Sequence, residues 1–260
     1  MTLNRPAKRN TLTPEINKLL RAAFERFRDD SDLWVAVLAG NGPDFCAGVD
    51  LSTVTVPTAA TTTTSTTAPA TTAPATTARA AGRQAWPGGI TRDFECWKPI
   101  VAALHGNVLG GGLELALCAD LRIADETLRI GAPEVKWGLM QGAGATQRLP
   151  RFVPFAVALE MLFTGDPIGA DRAERLGLVN QVVPVGQALA GAMDMATRIS
   201  QRAPLGVRRA KEAAYAGWDQ PLNEGLRTEM LLSRLLAGTE DLAEGQMAFA
   251  ERRDPVWRAR

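Results

Sequence analysis

Two acids and two glycine-bearing loops are the parts of this chain whose residue types and spacing suit chemistry. The stretch GNVLGGGLELALCAD at 106–120 opens a helical pattern on three glycines, each costing about 0.5–1 kcal/mol of backbone freedom relative to alanine. It then sets Glu114 among Leu113, Leu115, Ala116, Leu117 and Cys118, where an apolar side chain would be the more stable choice. Bare backbone lets N–H groups approach a ligand, and the start of a helix adds partial positive charge. Such a place favours an oxygen bearing negative charge. A second loop, FCAGVD at 45–50, also follows an apolar run and is placed to offer another N–H. Two converging N–H groups form an oxyanion hole. Glu134 follows Pro133 in GAPEVKWGL, at the outlet of a predicted strand at 128–131. Two carboxyl groups beside one oxyanion hole can divide acid and base work, with burial and mutual repulsion holding one of them protonated.

The elements that must position these residues are legible as periodicity. LWVAVLAG at 33–40 and PIVAALHG at 99–106 are short apolar runs ending in glycine, the form of strands buried on both faces of a parallel sheet. LRIA at 121–124 and LRIG at 128–131 alternate and predict further strands. TPEINKLLRAAFERFRDD at 13–30 predicts a helix with Ile16, Leu19, Leu20, Ala23, Phe24 and Phe27 on one face and Thr13 as N-cap before Pro14. Strands alternating with helices imply an α/β architecture. The stretch PTAATTTTSTTAPATTAPATTA at 57–78 has nothing large to bury and is read as a surface insertion within one domain. From about residue 190 the pattern is helical throughout. Leu226, Met230, Leu231 and Leu235 recur there at helical spacing, more apolar surface than an isolated helix can hide. The reading is a core over 1–190 and a helical region over 191–260.

Composition narrows the function classes. The chain has 260 residues, with 29 Lys and Arg against 28 Asp and Glu. That balance gives no electrostatic reason to expect nucleic acid or an anionic membrane as partner. No apolar run is long enough to span a bilayer, and MTLNRPAKRN lacks the apolar centre of a signal peptide, so a cytoplasmic address is expected. Cys46, Cys96 and Cys118 are odd in number and widely spaced, the pattern of reduced, packed thiols. A single histidine, His105, offers no metal-binding spacing and reads as a packed residue at a strand end. No metal is expected.

FCAGVDL, KPIVAALHGNVLGGGLELALCADLRIA, GAPEVKWGLMQGAGATQRLPR, LFTGDPIGADRAERLGLVNQVVP and EDLAEGQMAFAERRDP together resemble the enoyl-CoA hydratase/isomerase (crotonase) superfamily, in order from about Thr2 to Arg258. The resemblance implies a spiral of repeated β-β-α units with a C-terminal helical region that builds homotrimers or homohexamers. It implies an oxyanion hole made by the N–H groups of Val49 and Gly111, with Glu114 and Glu134 as the catalytic pair. Substrate contacts are expected from Ala47, Gly48, Asp50 and Leu51 in the first loop, Gly110 in the second, and Trp137 and Gly142 beyond Glu134. The substrate would be an acyl-CoA thioester; coenzyme A is then part of the substrate and no separate cofactor is implied. Arg5, Lys8, Arg9, Arg252 and Arg253 lie where the family approaches the CoA phosphates, and solvated charge is an equal reading of them. An isomerase, a hydroxyacyl-CoA dehydratase and a non-catalytic acyl-CoA-binding scaffold stand as alternatives to a hydratase.

Three features depart from that pattern. MTLNRP begins where the family has usually completed a strand, so either the first strand of the sheet is expected to be missing or the start of the sequence to be late. The Thr/Ala/Pro stretch replaces or lengthens a segment bordering the pocket. Met140 and Gln141 stand where a proline is common.

Overall fold

The computed structural model describes residues 1–53 and 86–260. The 57–78 insertion falls outside the described residues. In chain order the strands are β1 (Thr2–Leu3), β2 (Ala36–Gly40), β3 (Ile100–Leu104), β4 (Asn107–Leu109), β5 (Leu121–Asp125), β6 (Arg129–Gly131), β7 (Ile168–Gly169) and β8 (Gln181–Val183). The α-helices are α1 (Pro14–Asp29), α2 (Gly111–Ala116), α3 (Ala145–Phe152), α4 (Phe155–Thr164), α5 (Ala170–Arg175), α6 (Ala188–Ser200), α7 (Pro204–Gly217), α8 (Leu222–Arg234) and α9 (Glu240–Glu251).

The strands sort into two sheets. A parallel sheet runs β1-β2-β3-β5-β8, and a smaller one runs β4-β6-β7, parallel between β4 and β6 and antiparallel between β6 and β7. The segment 100–116 shows the repeating unit: β3 joins the large sheet, β4 joins the small one, and α2 follows. All five residues of β3 are buried, as its unbroken apolar run demands. Helix α1 buries Leu20, Phe24 and Phe27 in the same core as Leu38 of β2 and Ala102 and Leu104 of β3, and is capped by Thr13 Oγ1 accepting from the Ile16 N–H at 3.3 Å. A face of the large sheet is covered by α6, whose Ala188, Ala192 and Ala196 pack with Ala39, Val101, Ala103 and Ile123. Helix α6 therefore runs across position 190 and belongs by packing to the sheet.

The expected loss of the first strand is corrected. Thr2 and Leu3 pair in parallel with Ala39 and Gly40, and the Met1 ammonium donates to the Val37 carbonyl at 2.7 Å. Two residues suffice because Leu3 is buried and its carbonyl accepts from the Asn41 N–H at 2.8 Å.

Helix α7 is tied to the body by charge. Lys211 Nζ donates to Asp120 at 2.8 Å and to the Lys98 carbonyl, while the Tyr215 hydroxyl donates to Asp120 at 3.0 Å. Helix α8 buries none of its residues within this chain. No described helix is long and apolar enough to cross a membrane.

Candidate active site

The first loop lies against the second because its backbone pairs with β4. Cys46 N–H donates to the Asn107 carbonyl, and Leu109 N–H returns a bond to Cys46, both at 3.0 Å. Asp44 Oδ1 fixes the same junction by accepting from Asn107 through backbone and side chain. Contact is close enough that a Cβ on Gly112 would lie 2.2 Å from the Cys46 carbonyl oxygen. Only a glycine fits there. Gly110, at φ 55° and ψ −123°, makes the turn from β4 into α2 in a conformation that side chains rarely adopt.

Two amides are left over by this arrangement. Leu12 N–H donates to the Gly48 carbonyl at 2.8 Å, and Asp50 N–H donates to the Leu12 carbonyl at 2.9 Å. This alternation turns the Val49 N–H away from Leu12. Gly111 is the first residue of α2, so its N–H has no carbonyl one turn earlier in the helix. Among the described residues neither of these N–H groups has a hydrogen-bond acceptor. They are close together: a Cβ on Gly48 would lie 3.5 Å from the Gly111 nitrogen.

Glu114, one turn into α2, is 3% exposed. Its Oε1 accepts from the Ala143 N–H at 2.7 Å and the Ala145 N–H at 3.1 Å, so the carboxyl sits at the N-terminus of α3. Burial pushes this carboxyl above the ordinary glutamate range; the two amides, and then Arg148 and Arg92, pull it back part of the way. Those guanidinium groups also build the loop around the acid. Arg92 donates to the Gly142 carbonyl, and Arg148 donates to the carbonyls of Ala143 and Thr91.

Glu134 comes from the small sheet. Because Leu109 of β4 pairs with Gly131 of β6, and the Gly110 N–H donates to the Gly131 carbonyl, the short 3-10 helix Pro133–Trp137 starts beside the glycine turn. Glu134 Oε1 lies 3.3 Å from where a Cβ of Gly110 would stand, and Oε2 is buried with no hydrogen-bond partner among the described residues. Burial raises this carboxyl as well, and the negative charge of Glu114 raises it further. The two acids are thus near enough to repel one another, and Glu114 differs in having one oxygen held by two main-chain amides, those of Ala143 and Ala145.

The structure brings Gly48, Val49, Gly110, Gly111, Glu114 and Glu134 together. Other residues expected at the site have different engagements. Asp50 forms an ion pair with Arg5 at 2.7 Å and accepts from Ser52; hydrogen bonds from Ser52 and then Arg5 hold its carboxyl down at about 2. Ala47 N–H donates to the Arg9 carbonyl, and Gly142 offers its carbonyl to Arg92. Leu51 and Trp137 point into solvent, Trp137 with 72% of its surface exposed. Arg253 is held by Glu244 and Glu251. The sequence reading missed the amides of Ala143 and Ala145. A glycine ahead of a helix start in GAGATQR was the signal for them.

Two cavities, of about 490 and 380 Å3, lie apart from this site, between the body and α7, and share Phe152, Tyr215 and Trp218. The smaller one reaches Leu117 and Cys118, one turn beyond Glu114.

Comparison with known proteins shows the family and the fold. The chain is 41% identical over 259 residues to an (E)-benzylidenesuccinyl-CoA hydratase of Thauera aromatica, covering 99% of this chain and 94% of that one. It is 35% identical over 270 residues to a carnitinyl-CoA dehydratase of Salmonella heidelberg, covering 100% and 94%. A crystal structure of an enoyl-CoA hydratase from Mycobacterium marinum superposes with a TM-score of 0.84 at 34% identity, covering 100% of this chain and 94% of that one. The α/β fold with its parallel sheet is therefore the crotonase fold. The sequence pattern of enoyl-CoA hydratase/isomerase matches residues 1–260, and the chain belongs to that family.

Proposed function

We propose that the protein adds water across the 2,3 double bond of a 2-enoyl-CoA thioester. The observation that carries this reading is the convergence of two amides that have no acceptor among the described residues with two carboxyls of unequal surroundings, Glu114 buried and Glu134 half-buried. Glu114, with two N–H donors on one oxygen, is suited to be the anion; Glu134, with an Oε2 that has no partner among the described residues and a neighbouring negative charge, is suited to hold the proton. Water bound between them gives a proton to Glu114 as its oxygen bonds to C3. Electron density from the double bond moves through C2 onto the thioester oxygen, where the Val49 and Gly111 N–H groups stabilise it, each such donor being worth on the order of 10²–10³ in rate. Glu134 then protonates C2. The pair ends with its one proton moved from Glu134 to Glu114, and exchange with solvent restores the starting state.

Run backwards, the same groups dehydrate a 3-hydroxyacyl-CoA, and the relatives named above include both a hydratase and a dehydratase. Binding of the CoA portion positions the acyl group for the step. The exposed apolar face of α8 is proposed to be covered by further copies of this chain in a homotrimer or homohexamer. Assays of crotonyl-CoA, a 3-enoyl-CoA and a 3-hydroxyacyl-CoA side by side test the reaction assignment. Hydration of crotonyl-CoA matched by dehydration of its product supports it; turnover of the 3-enoyl-CoA alone replaces it with isomerisation.

A further inference from the structure

The peptide unit joining Gly142 to Ala143 is gripped at both ends. Its N–H donates to Glu114 Oε1 at 2.7 Å, and its carbonyl accepts from Arg92 Nη2 at 2.7 Å and from Arg92 Nε at 3.2 Å. In a trans peptide the N–H and C=O bonds point in opposite directions, so guanidinium, peptide dipole and carboxyl follow one another with their charges aligned. The second peptide on the same carboxyl oxygen is held differently. It supplies the Ala145 N–H, and its Gly144 carbonyl accepts from the N–H groups of Gln147 and Arg148 as α3 begins. The Arg148 side chain donates to the carbonyls of Ala143 and Thr91 and so bonds to neither of these two peptides.

Arg92 is exposed, yet it is fixed in place. Its guanidinium lies 4.6 Å from the centre of the Trp86 ring. The segment 86–93 that carries it is anchored to α1: the Gly88 N–H donates to Asn17 at 2.9 Å, and Arg21 donates to the carbonyls of Gly89 and Asp93. Among the described residues no carboxylate forms an ion pair with Arg92. Water would satisfy an exposed carbonyl equally well. A guanidinium held over it adds a permanent positive charge on the line to Glu114.

We propose that Arg92 is a positioning residue for Glu114, acting through the Gly142–Ala143 peptide to keep that carboxyl ionised and aimed at the water it deprotonates. The inference rests on the reading of Glu114 as the base in hydration. A hydrogen bond to a peptide carbonyl polarises the N–H at the other end of the peptide and strengthens the bond that N–H makes to an anion. This opposes burial, which favours the protonated acid. A protonated Glu114 cannot take a proton from water, so Arg92 sets how far the pH can fall before the reaction stops. The other groups facing Glu114 are Arg148 of α3, which adds positive charge, and Glu134 of the short 3-10 helix, which adds negative charge. Cys118, whose thiol donates to the Glu114 carbonyl, is pushed up by burial to about 11 and stays neutral.

The test is the acidic limb of the pH profile of kcat/KM for crotonyl-CoA hydration, which reports protonation of Glu114. Arg92→Met, which removes the charge and the donors, is expected to move that limb up by roughly half a pH unit. Arg92→Lys keeps a positive charge over the loop and is expected to move it less. An unmoved limb in Arg92→Met, even with a fall in kcat, would mean that Arg92 only holds the loop, and would overturn the proposal. Equal shifts in both variants would overturn it too, because disturbance of the loop and not loss of the charge would then be moving Glu114. Glu114→Gln measured alongside separates the two levels of inference. Near-wild-type turnover by that variant removes the reading of Glu114 as base, whereas an inactive Glu114→Gln with an unmoved limb in Arg92→Met removes only the role of Arg92.

Discussion

Residues 100–131 and residues 222–251 are both rich in apolar side chains, and the chain completes only the first. In the former, Val101, Ala102, Leu104, Val108, Leu113 and Ile130 are fully buried, and the polar Glu114 is enclosed with its partners. In the latter, Leu222, Leu226, Leu231, Leu235 and Phe249 are at least half exposed, Phe249 to 88%. Exposed apolar side chains at this density are the feature from which an interaction face is proposed above. The difference is that residues 100–131 are covered by contacts within one chain, while residues 222–251 keep much of their apolar area uncovered by it.

That contrast can be broken at its strongest point first. Glu114→Gln and Glu134→Gln are each expected to lower hydration at least ~10²-fold while circular dichroism and thermal midpoint stay near wild type. Full turnover in both would show that the enclosed acids are not the catalytic groups. Gly112→Ala tests the close packing of the same region: its methyl would meet the Cys46 carbonyl oxygen at 2.2 Å, and a loss of about 3 kcal/mol in urea unfolding is expected. A loss below about 0.5 kcal/mol would show that the two loops are not pressed together as described.

The helical half is probed by Leu231→Glu. Sedimentation velocity is expected to show a shift from an assembled species towards single chains. A wild-type protein that already sediments as a single chain would leave the α8 face without the proposed cover.

The smallest effect concerns pH. Glu114 has its carboxyl raised in the folded state, so the folded protein binds that proton more tightly than the unfolded chain. Its contribution to stability is full below the ordinary glutamate range and is lost as pH climbs through the raised value. Glu114→Gln removes that dependence, so the thermal midpoint of the variant should gain on wild type from pH 4 to pH 8. A variant whose thermal midpoint instead loses ground to wild type over the same range would contradict the raised carboxyl.

Much of this was legible locally. The strands at 36–40 and 100–104 lie within the apolar runs read as strands, and α1 starts at the Thr13 cap that its sequence predicts. Glu114 was recognisable as a candidate because an acid among leucines is a poor choice for packing, and Glu134 by its place in APEVKWGL, within the pattern of the family that the sequence resembles. Thr2–Leu3 was missed as a strand because two residues carry no periodicity; only pairing with Ala39 and Gly40 makes them one. Gln141 was legible as a departure from the family pattern, but nothing near it in sequence tells that its amide turns back to Ala132.

By itself, then, the sequence determined which segments extend, which coil and which residues are chemically out of place, since those properties depend on neighbours a few positions away. The tertiary structure alone decided that Glu114 receives the amides of Ala143 and Ala145, 29 and 31 residues onward, and that Glu134 arrives at Gly110 through the pairing of β6 with β4. The unequal surroundings of the two acids arise from those distant contacts. A carboxyl's preference for its proton is set by the water excluded and the dipoles aimed at it, and both are consequences of packing.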